Sequence, residues 1–284
     1  MSASAAPASP SSALGSIAFI GGGNMARSLI GGLVARGADR ASLLVAEPVP
    51  ELRAALARDF QIPTFEHSAQ PVASAGTWVL AVKPQVMREV CQALASVAQA
   101  TRPLVMSVAA GITAAQIDRW LGGNVAVVRA MPNTPALLGA GVTGLYANAQ
   151  VDDGQRARAL ALMQSAGASV WIEHESLMDA VTAVSGSGPA YVFLLAEAMQ
   201  AAGEAQGLPA AAARELALQT ILGAARMLTE GDEAPAELRR RVTSPGGTTQ
   251  AAIETFEAGG LRELVASAID AATRRGRELS AAHD

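Results

Sequence analysis

The chain has 284 residues, of which 50% are hydrophobic and only 4% aromatic, so a large core built from Ala, Leu and Val is expected. Its formal net charge of −4 argues against nucleic-acid binding, which requires a clustered basic face. The single cysteine, Cys91, excludes an internal disulfide framework, fits a reducing, cytoplasmic compartment, and is predicted to be a core residue of a helix.

The first sixteen residues contain Ser, Ala, Pro and Gly with one Leu and one Met, which predicts a disordered tail over residues 1–16. This segment lacks the basic start and apolar run of a signal peptide and the arginines of a transit peptide. A long uncharged stretch, Met131–Val151, is interrupted by prolines, glycines and asparagines, so no membrane span is predicted.

The first predicted strand, residues 17–20, is followed at once by a glycine-rich turn and then by a helical pattern. The turn has the form G-x-G-x-x-A, with Gly21, Gly23 and Ala26 at the three small positions. Gly21 permits the tight turn, Gly23 lets a diphosphate approach the backbone, and Ala26 lets the helix pack closely on the strand. The pattern predicts a dinucleotide bound at the helix N-terminus; a glycine-rich turn that binds nothing is the alternative.

The second predicted strand, residues 43–46, ends in Glu47, where a dinucleotide fold places the acid that binds the ribose diol. Because a carboxylate there repels a 2′-phosphate, Glu47 favours NADH over NADPH. The alternative is a solvated loop glutamate that Pro48 turns outward. No arginine follows until Arg53, so the sequence alone indicates no clamp for a 2′-phosphate.

Strand and helix patterns alternate up to about residue 173. Further strands are predicted at residues 62–65, 78–82, 104–108, 125–129, 142–147 and 169–172, and helices at residues 50–59, 86–99 and 153–166. Thr113 and Gln116 fit a capping box that begins another helix. Lys83, the only lysine of the chain, directly follows a predicted central strand and is therefore expected at the ligand-binding edge. This alternation predicts an α/β fold with a Rossmann-like doubly wound sheet.

Strand patterns stop at about His174, and the remaining chain is predicted to be all-helical. Helices are predicted at residues 189–206, 210–230, 234–241, 249–258 and 260–280. Their apolar stripes are wide, which predicts a face buried against a partner subunit. The predicted domains are accordingly an NAD(P)-binding domain over residues 17–173 and a helical substrate-binding and dimerisation domain over residues 174–284.

Two glycine-bearing turns interrupt the helical half, at Ser185–Pro189 and at Ser244–Thr249. Each leads into a helix and is therefore expected to present backbone N–H groups to a carboxylate. An ordinary helix cap is the alternative for both turns.

No conventional catalytic acid is indicated by the sequence. None of His67, His174 and His283 lies in a catalytic motif, and neither a metal-ligand spacing nor a Ser-His-Asp arrangement is found. Reduction of a ketone requires a general acid. An imine nitrogen is basic enough to arrive protonated or to need only a hydrogen bond, which a hydroxyl such as that of Thr249 supplies. The sequence therefore favours reduction of C=N over C=O, without a metal.

Six segments resemble the Δ1-pyrroline-5-carboxylate reductase family, in the family's order: IGGGNMA, AVKPQ, SVAAGI, MPNTP, AVSGSGPAY and LRRRVTSPGGTTQAAIETFE. The resemblance covers residues 17–280, and its most specific block is SPGGTT. It implies hydride transfer from NADPH or NADH to the imine carbon of 1-pyrroline-5-carboxylate, which gives L-proline in the last step of proline biosynthesis. It also implies a helical domain that interlocks in a homodimer and can build larger rings such as decamers.

The resemblance assigns roles to the residues at matching positions. Thr249 would hydrogen-bond the ring nitrogen as the catalytic residue. The substrate would be bound by Ser244, Gly246, Gly247, Thr248 and, less specifically, Glu175. The cofactor would be bound by Ile20, Gly21, Gly22, Gly23, Asn24, Met25, Glu47, Ala81, Val82, Lys83, Pro84, Ser107, Val108, Ala109 and Asn133. At the position of Glu47 the family more commonly has a small or polar residue. The family's usual preference for NADPH therefore conflicts with the expectation that the Glu47 carboxylate favours NADH.

Two other interpretations stay open. A β-hydroxyacid dehydrogenase or a generic imine reductase shares the two-domain plan, but the hydroxyacid enzymes resemble each other in a catalytic lysine on the helical domain. Residues 174–284 contain no lysine. A non-catalytic dinucleotide sensor or an assembly scaffold would not need two glycine-bearing turns in its helical half.

Overall fold

The computed structural model describes residues 14–282 of the chain. The tail predicted over residues 1–16 therefore lies, up to residue 13, outside the described residues. Leu14 is buried in the core, and the carbonyl oxygen of Ser16 accepts a hydrogen bond from the N–H of Thr77 at 3.3 Å. Residues 14–16 thus belong to the folded chain, and the prediction of a tail is wrong for them.

The described residues form one eight-stranded sheet. The strands are β1 Ile17–Ile20, β2 Leu43–Ala46, β3 Thr64–Phe65, β4 Thr77–Leu80, β5 Leu104–Ser107, β6 Ala126–Met131, β7 Gly141–Ala147 and β8 Gly167–Trp171. They lie in the order β3-β2-β1-β4-β5-β6-β7-β8. Neighbouring strands from β3 to β6 are parallel, β7 runs antiparallel to β6, and β8 is parallel to β7. The first six strands thus have the order of a Rossmann sheet, and the predicted fold class is confirmed.

The helices of this part cover both faces of the sheet. They are α1 Asn24–Ala35, α2 Pro50–Phe60, α3 Ala69–Ser74, α4 Pro84–Thr101, α5 Ala114–Trp120 and α6 Asp153–Gln164. Along β1, Ile17 and Phe19 belong to one buried cluster, whereas Ala18 and Ile20 belong to a second one. Because both faces of the parallel strands are covered, their sequences are continuous apolar runs and not alternating ones.

The chain continues through a second group of helices. They are α7 Met178–Val181, a π-helical turn at Thr182–Gly186, α8 Gly188–Ala205, α9 Ala210–Glu230, α10 Pro235–Arg241, α11 Thr248–Ala258 and α12 Leu261–Ala281. The chain divides into two compact units: the first extends to Gly186 and includes the chain from Ala272 onward, and the second is Ser187–Ala271. The domain boundary predicted between residues 173 and 174 stays a prediction.

A buried arginine connects the sheet to the segment that follows it in the first unit. Arg129 on β6 is only 3% exposed, and its guanidinium lies 3.6 Å from a Glu175 carboxylate oxygen and 3.5 Å from an Asp179 carboxylate oxygen. Burial, and secondarily the Glu175 carboxylate, raise the pKa of Tyr146, which is paired with Arg129 across β6 and β7. Arg129 therefore balances two carboxylates that have little access to water.

We expect Arg129→Met to destabilise the first unit by about 3 kcal/mol, because removing one member of a buried ion pair leaves charges unpaired in a poorly solvated site. The measurement is chemical unfolding followed by circular dichroism. The matched control is Arg275→Met, which removes an exposed ion pair with Glu278 and should leave the midpoint almost unchanged. Equal midpoints for the two variants would show that the Arg129 cluster contributes nothing.

Candidate functional site

The glycine-rich turn joins the carboxyl ends of three neighbouring strands. The N–H of Gly21 donates to the carbonyl of Ala46 at 2.8 Å, and the N–H of Ala81 donates to the carbonyl of Ile20 at 2.8 Å. Gly21 has φ +98°, and a Cβ placed there would lie 2.7 Å from the carbonyl oxygen of Ala81. Only glycine satisfies both conditions, because other residues rarely adopt this φ and would collide with the β4 backbone.

The turn leads directly into the N-terminus of α1. The helical ladder begins with the bond from the N–H of Arg27 to the carbonyl of Gly23, so the N–H groups of Asn24, Met25 and Ala26 precede it. Gly23 caps the helix without a side-chain hydrogen bond, and the first turn contains no acidic residue. A Cβ at Gly23 would meet no described atom within 4 Å, so the space above the turn is open. These features fit the diphosphate of a dinucleotide.

Glu47 is buried against this turn and is not a solvated loop residue. It is 6% exposed, and its Oε2 accepts a hydrogen bond from the N–H of Gly22 at 2.8 Å. Its Oε1 accepts one from the N–H of Val49 at 2.9 Å. The alternative of an outward-facing side chain is therefore wrong, and Pro48 does not turn the carboxylate away. Its binding to the ribose stays a prediction.

The remaining predicted cofactor residues lie at three other strand ends. Ala81 and Val82 follow β4, whose neighbour is β1, so they adjoin the glycine turn. Lys83 is the N-cap of α4, with Pro84 at its first position, and the lysine side chain is exposed. Ser107, the last residue of β5, is buried and its Oγ accepts a hydrogen bond from the N–H of Ala109 at 3.3 Å. The N–H of Val108 donates to the carbonyl of Leu80 at 3.2 Å.

Asn133 has structural partners for its side-chain amide. Its Nδ2 donates to the carbonyl of Ser185 at 3.1 Å, and its Oδ1 accepts from the N–H of Val142 at 3.0 Å. The residue therefore ties the end of β6 to β7 and to the π-helical turn. Its place beside the nicotinamide stays a prediction.

Glu175 likewise has partners inside the first unit. Its Oε1 accepts a hydrogen bond from the N–H of Ala114, the first residue of α5, at 2.6 Å and faces Arg129. These contacts explain an acid at this position without a ligand. The assignment of Glu175 to the substrate pocket is not tested by them and stays a prediction.

The SPGGTT turn of the second unit leads into α11. Gly246 has φ +70°, and Gly247 caps the helix without a side-chain hydrogen bond. The N–H of Gly246 donates to Oε1 of Gln250 at 2.7 Å, and the N–H of Gly247 donates to the carbonyl of Ser244 at 3.0 Å. The two glycine amides are thus used inside the turn, so the glycines shape it in this conformation.

The donors that remain for a ligand belong to the hydroxyl residues. The helical ladder of α11 begins with the bond from the N–H of Ala251 to the carbonyl of Gly247, so the N–H groups of Thr248 and Thr249 precede it. The hydroxyls of Ser244, Thr248 and Thr249 make no hydrogen bond to other described residues. A helix N-terminus with hydroxyl donors beside it fits a carboxylate.

The other glycine-bearing turn, Ser185–Pro189, is not an open loop. The chain passes through the π-helical turn Thr182–Gly186 and then Ser187, which has right-handed helical φ and ψ, into α8. The Oγ of Ser185 donates to the carbonyl of Val181 at 2.9 Å. Residues 182–186 are therefore helical and not part of an irregular turn, whereas a helix does begin at Gly188 as predicted. The binding of a carboxylate by N–H groups here stays a prediction.

One charged residue near the site was assigned no role by its position in the sequence. Arg53 in α2 folds back onto the loop after β2, where its Nη1 donates to the carbonyl of Glu47 at 2.6 Å. Arg27, the other arginine near the turn, is paired with Asp59 and lies over the ring of Phe60. Helical spacing alone contains no signal for the Arg53 contact, since it depends on the path of the loop.

Three further findings concern the cysteine, possible metal ligands and possible membrane-crossing helices. Cys91 is buried in α4, and burial raises the pKa of its thiol to about 12, so it is a protonated core residue at neutral pH. Within residues 14–282, no three His, Cys, Asp or Glu side chains are grouped as a metal site requires. No helix in the same part of the chain has the length and apolar character needed to cross a membrane.

Comparisons with protein families match both halves of the chain. A family model described as pyrroline-5-carboxylate reductase dimerisation matches residues 175–279. A second model, described as NADP oxidoreductase, coenzyme F420-dependent, matches residues 16–111. The two matches contain the SPGGTT turn and the glycine-rich turn, respectively.

Individual relatives match over almost the whole chain. The pyrroline-5-carboxylate reductase of Pseudomonas aeruginosa is 53% identical over 264 residues, which cover 93% of this chain and 96% of the relative. The same enzyme of Vibrio alginolyticus is 43% identical, with coverages of 93% and 97%. A solved pyrroline-5-carboxylate reductase of Coxiella burnetii has a TM-score of 0.91 and 43% identity, and the match covers 94% of this chain and 99% of that one.

A more distant solved relative contains a cofactor. The pyrroline carboxylate reductase of Plasmodium falciparum, solved with NADP bound, has a TM-score of 0.81 and 26% identity, with coverages of 93% and 98%. The prephenate dehydrogenase of Aquifex aeolicus, at 13% identity and a TM-score of 0.54, shares only the fold.

The glycine turn allows a paired test of stability and cofactor binding. We expect Gly21→Ala to destabilise the protein by about 1–3 kcal/mol, because the new Cβ combines a strained φ with a collision at Ala81. Gly23→Ala should leave stability unchanged, since its Cβ meets open space, but should weaken dinucleotide binding. Chemical unfolding and calorimetric titration with NADPH measure the two effects. A Gly23→Ala variant with unaltered cofactor affinity would contradict the diphosphate site.

Proposed function

The chain belongs to the pyrroline-5-carboxylate reductase family, and from this premise we propose which of its residues carry the reaction. The protein is an NAD(P)H-dependent oxidoreductase that reduces the C=N bond of 1-pyrroline-5-carboxylate to L-proline, in the last step of proline biosynthesis. The observation that carries the proposal is that glycine-bearing turns precede the N-termini of two helices. The N-terminus of α1 is suited to a diphosphate and that of α11 to a carboxylate.

In this proposal the first unit holds the cofactor. When bound, the reduced nicotinamide supplies the hydride. The N–H groups at the start of α1 bind the diphosphate, and Glu47 accepts hydrogen bonds from the ribose. The residues that follow β4 and β5, with Lys83 among them, lie along the ligand-binding edge of the sheet and orient the nicotinamide end. Asn133 acts by fixing the backbone around that end.

The second unit holds the substrate. The N–H groups of Thr248 and Thr249 and the hydroxyl of Ser244 bind the carboxylate of the imine, and Gly246 and Gly247 keep the turn in its shape. The hydroxyl of Thr249 donates a hydrogen bond to the ring nitrogen. As the hydride forms a bond to the imine carbon, the π electron pair of the C=N bond moves to nitrogen, where that hydrogen bond stabilises it. Together with a proton that the imine carries on arrival or takes from solvent water, the nitrogen becomes the amine of proline. Glu175 is proposed near the pocket on the resemblance alone.

We further propose that the active form is a homodimer in the cytoplasm, which can build a larger ring such as a decamer. The support is a broad exposed apolar surface on the helices of the region matched by the dimerisation model. On α8, Phe193 is 61% exposed and Leu194 is 65% exposed, and α12 exposes Leu264 to 67%. Large apolar side chains exposed to this extent are unfavourable in water and favour burial against a partner subunit.

The decisive assay mixes the full-length protein with NADPH or NADH and 1-pyrroline-5-carboxylate, and follows both cofactor oxidation and L-proline formation. Stoichiometric proline formation is expected. Oxidation of neither cofactor would contradict the proposal. A β-hydroxyacid with the oxidised cofactor serves as the control substrate and should not react.

The two substrate-binding hydroxyls should differ in the kinetic constant that they control. Thr249→Val should lower kcat by an amount equivalent to roughly 2–4 kcal/mol, by analogy with a lost oxyanion donor, because its hydrogen bond strengthens in the transition state. Ser244→Ala should instead raise KM for the imine several-fold, because it removes a hydrogen bond to a charged group. Steady-state kinetics measure both constants.

Cofactor affinity is the control for these variants and should be unchanged in both. An unaltered kcat of Thr249→Val would contradict its catalytic role. For Ser244→Ala, an equal loss with an imine that lacks the carboxylate would contradict carboxylate binding.

The dimer is tested by a charge in the apolar surface. Leu194→Glu should convert the dimer to a folded monomer, because a carboxylate at an interface core is desolvated without a partner. Light scattering after size exclusion measures the mass. Gln206→Glu, which adds the same charge at an exposed polar position at the end of α8, should remain dimeric. A Leu194→Glu dimer of wild-type stability would place the interface elsewhere.

A further inference from the structure

Two charged side chains lie at the loop after β2, residues 47–49: the carboxylate of Glu47 and the guanidinium of Arg53. The Glu47 carboxylate is buried and bound to the N–H groups of Gly22 and Val49. Arg53 reaches the same loop from α2, and its Nη1 donates to the carbonyl oxygens of Glu47 at 2.6 Å and of Pro48 at 3.1 Å. The carboxylate thus belongs to this short segment at the end of β2, and the guanidinium is hydrogen-bonded to the backbone of the same segment.

The contacts of Arg53 leave part of its guanidinium available. Nη1 is used by the two carbonyls, whereas Nη2 lies 3.7 Å from Oε2 of Glu66, which is longer than a hydrogen bond. The Arg53 side chain is 22% exposed and that of Glu66 is 60% exposed. Glu66 follows β3, the strand paired with β2. An anion with more negative charge than this carboxylate could therefore replace Glu66 as the partner of Arg53, whose position is already set by its contacts with the loop.

A dinucleotide fold places the adenosine ribose at the end of this strand. The ribose diol of NADH donates hydrogen bonds, and Glu47 still has acceptor capacity, because a carboxylate accepts about four hydrogen bonds and two are used. The 2′-phosphate of NADPH is repelled by Glu47, yet a planar guanidinium matches its oxygens in geometry and charge. The same loop thus contains a determinant for each cofactor.

We propose that the cofactor choice of this enzyme is divided between two residues: Glu47 binds the ribose diol of NADH, and Arg53 binds the 2′-phosphate of NADPH. The proposal rests on the proposed function, since it requires a dinucleotide at the glycine turn. On NADPH binding the phosphate replaces Glu66 as the partner of Nη2, while Nη1 remains on the loop carbonyls. The enzyme therefore uses both cofactors, and NADH is competitive despite the NADPH preference that the family resemblance implies.

The alternative role of Arg53 is purely structural, as a clamp on the loop backbone. A structural clamp would support the binding of both cofactors equally, because both place the same ribose against the loop. The two roles therefore differ in selectivity and not only in affinity. Glu66 gives a second, independent distinction, since its removal frees Arg53 for a phosphate but leaves the loop contacts intact.

The experiment is calorimetric titration of the full-length protein and three variants with NADH, NADPH and the fragment 2′,5′-ADP. Arg53→Gln should raise Kd for NADPH and for 2′,5′-ADP about tenfold or more, the equivalent of one lost charge-assisted hydrogen bond, with Kd for NADH changed less than about twofold. Glu66→Gln should lower Kd for NADPH by about threefold and leave NADH unchanged. Glu47→Ser should shift the ratio of the two Kd values about tenfold toward NADPH.

Equal weakening of NADH and NADPH by Arg53→Gln, with no effect of Glu66→Gln, would overturn the proposal in favour of a structural clamp. Unchanged affinities in all three variants would overturn it as well. Absence of binding of either cofactor to the wild-type protein would instead contradict the proposed function. Thermal unfolding of each variant identifies a loss of folding, and Glu66→Gln then decides the outcome, since Glu66 is exposed and makes no contact that the fold requires.

Discussion

The ligand-binding edge of the sheet depends on one close backbone contact, between Gly21 and Ala81. The contact is possible because Gly21 adopts φ +98° and has no side chain in the 2.7 Å gap to the Ala81 carbonyl. It lies where the paired strands β1 and β4 end and shortly before α1 begins. Gly22, the next residue, then reaches the buried carboxylate of Glu47. The same turn thus positions both the residues proposed to bind the diphosphate and the one proposed to bind the ribose.

The second unit also contains a glycine-bearing turn that leads into a helix N-terminus. Gly246 adopts φ +70°, Gly247 caps α11, and the first N–H groups of that helix precede its hydrogen-bond ladder. Two helix N-termini therefore provide positive ends for the two anions that we propose to bind there, the diphosphate and the substrate carboxylate. An imine needs only a hydrogen-bond donor at nitrogen, which is consistent with a site whose assigned catalytic group is the hydroxyl of Thr249.

Much of this arrangement could be predicted from sequence, because its signals are local. Buried parallel strands are apolar runs, the turn after β1 has its glycines at fixed spacing, and the capping box at Thr113 is present as predicted. The contacts of Arg53, Arg129 and Glu175 could not be predicted, since each joins residues from elements that meet only in the folded chain. The helical segment at residues 178–186 was missed because it is short and partly π-helical.

We propose that the cofactor lies on the N-terminus of α1 and the substrate carboxylate on that of α11. Amide hydrogen exchange of the full-length protein, measured by mass spectrometry, tests it most directly. We expect that NADPH alone slows exchange in residues 21–27, and that exchange in residues 244–250 slows only when L-proline is added with the oxidised cofactor. Unchanged exchange in residues 21–27 at saturating NADPH would contradict it.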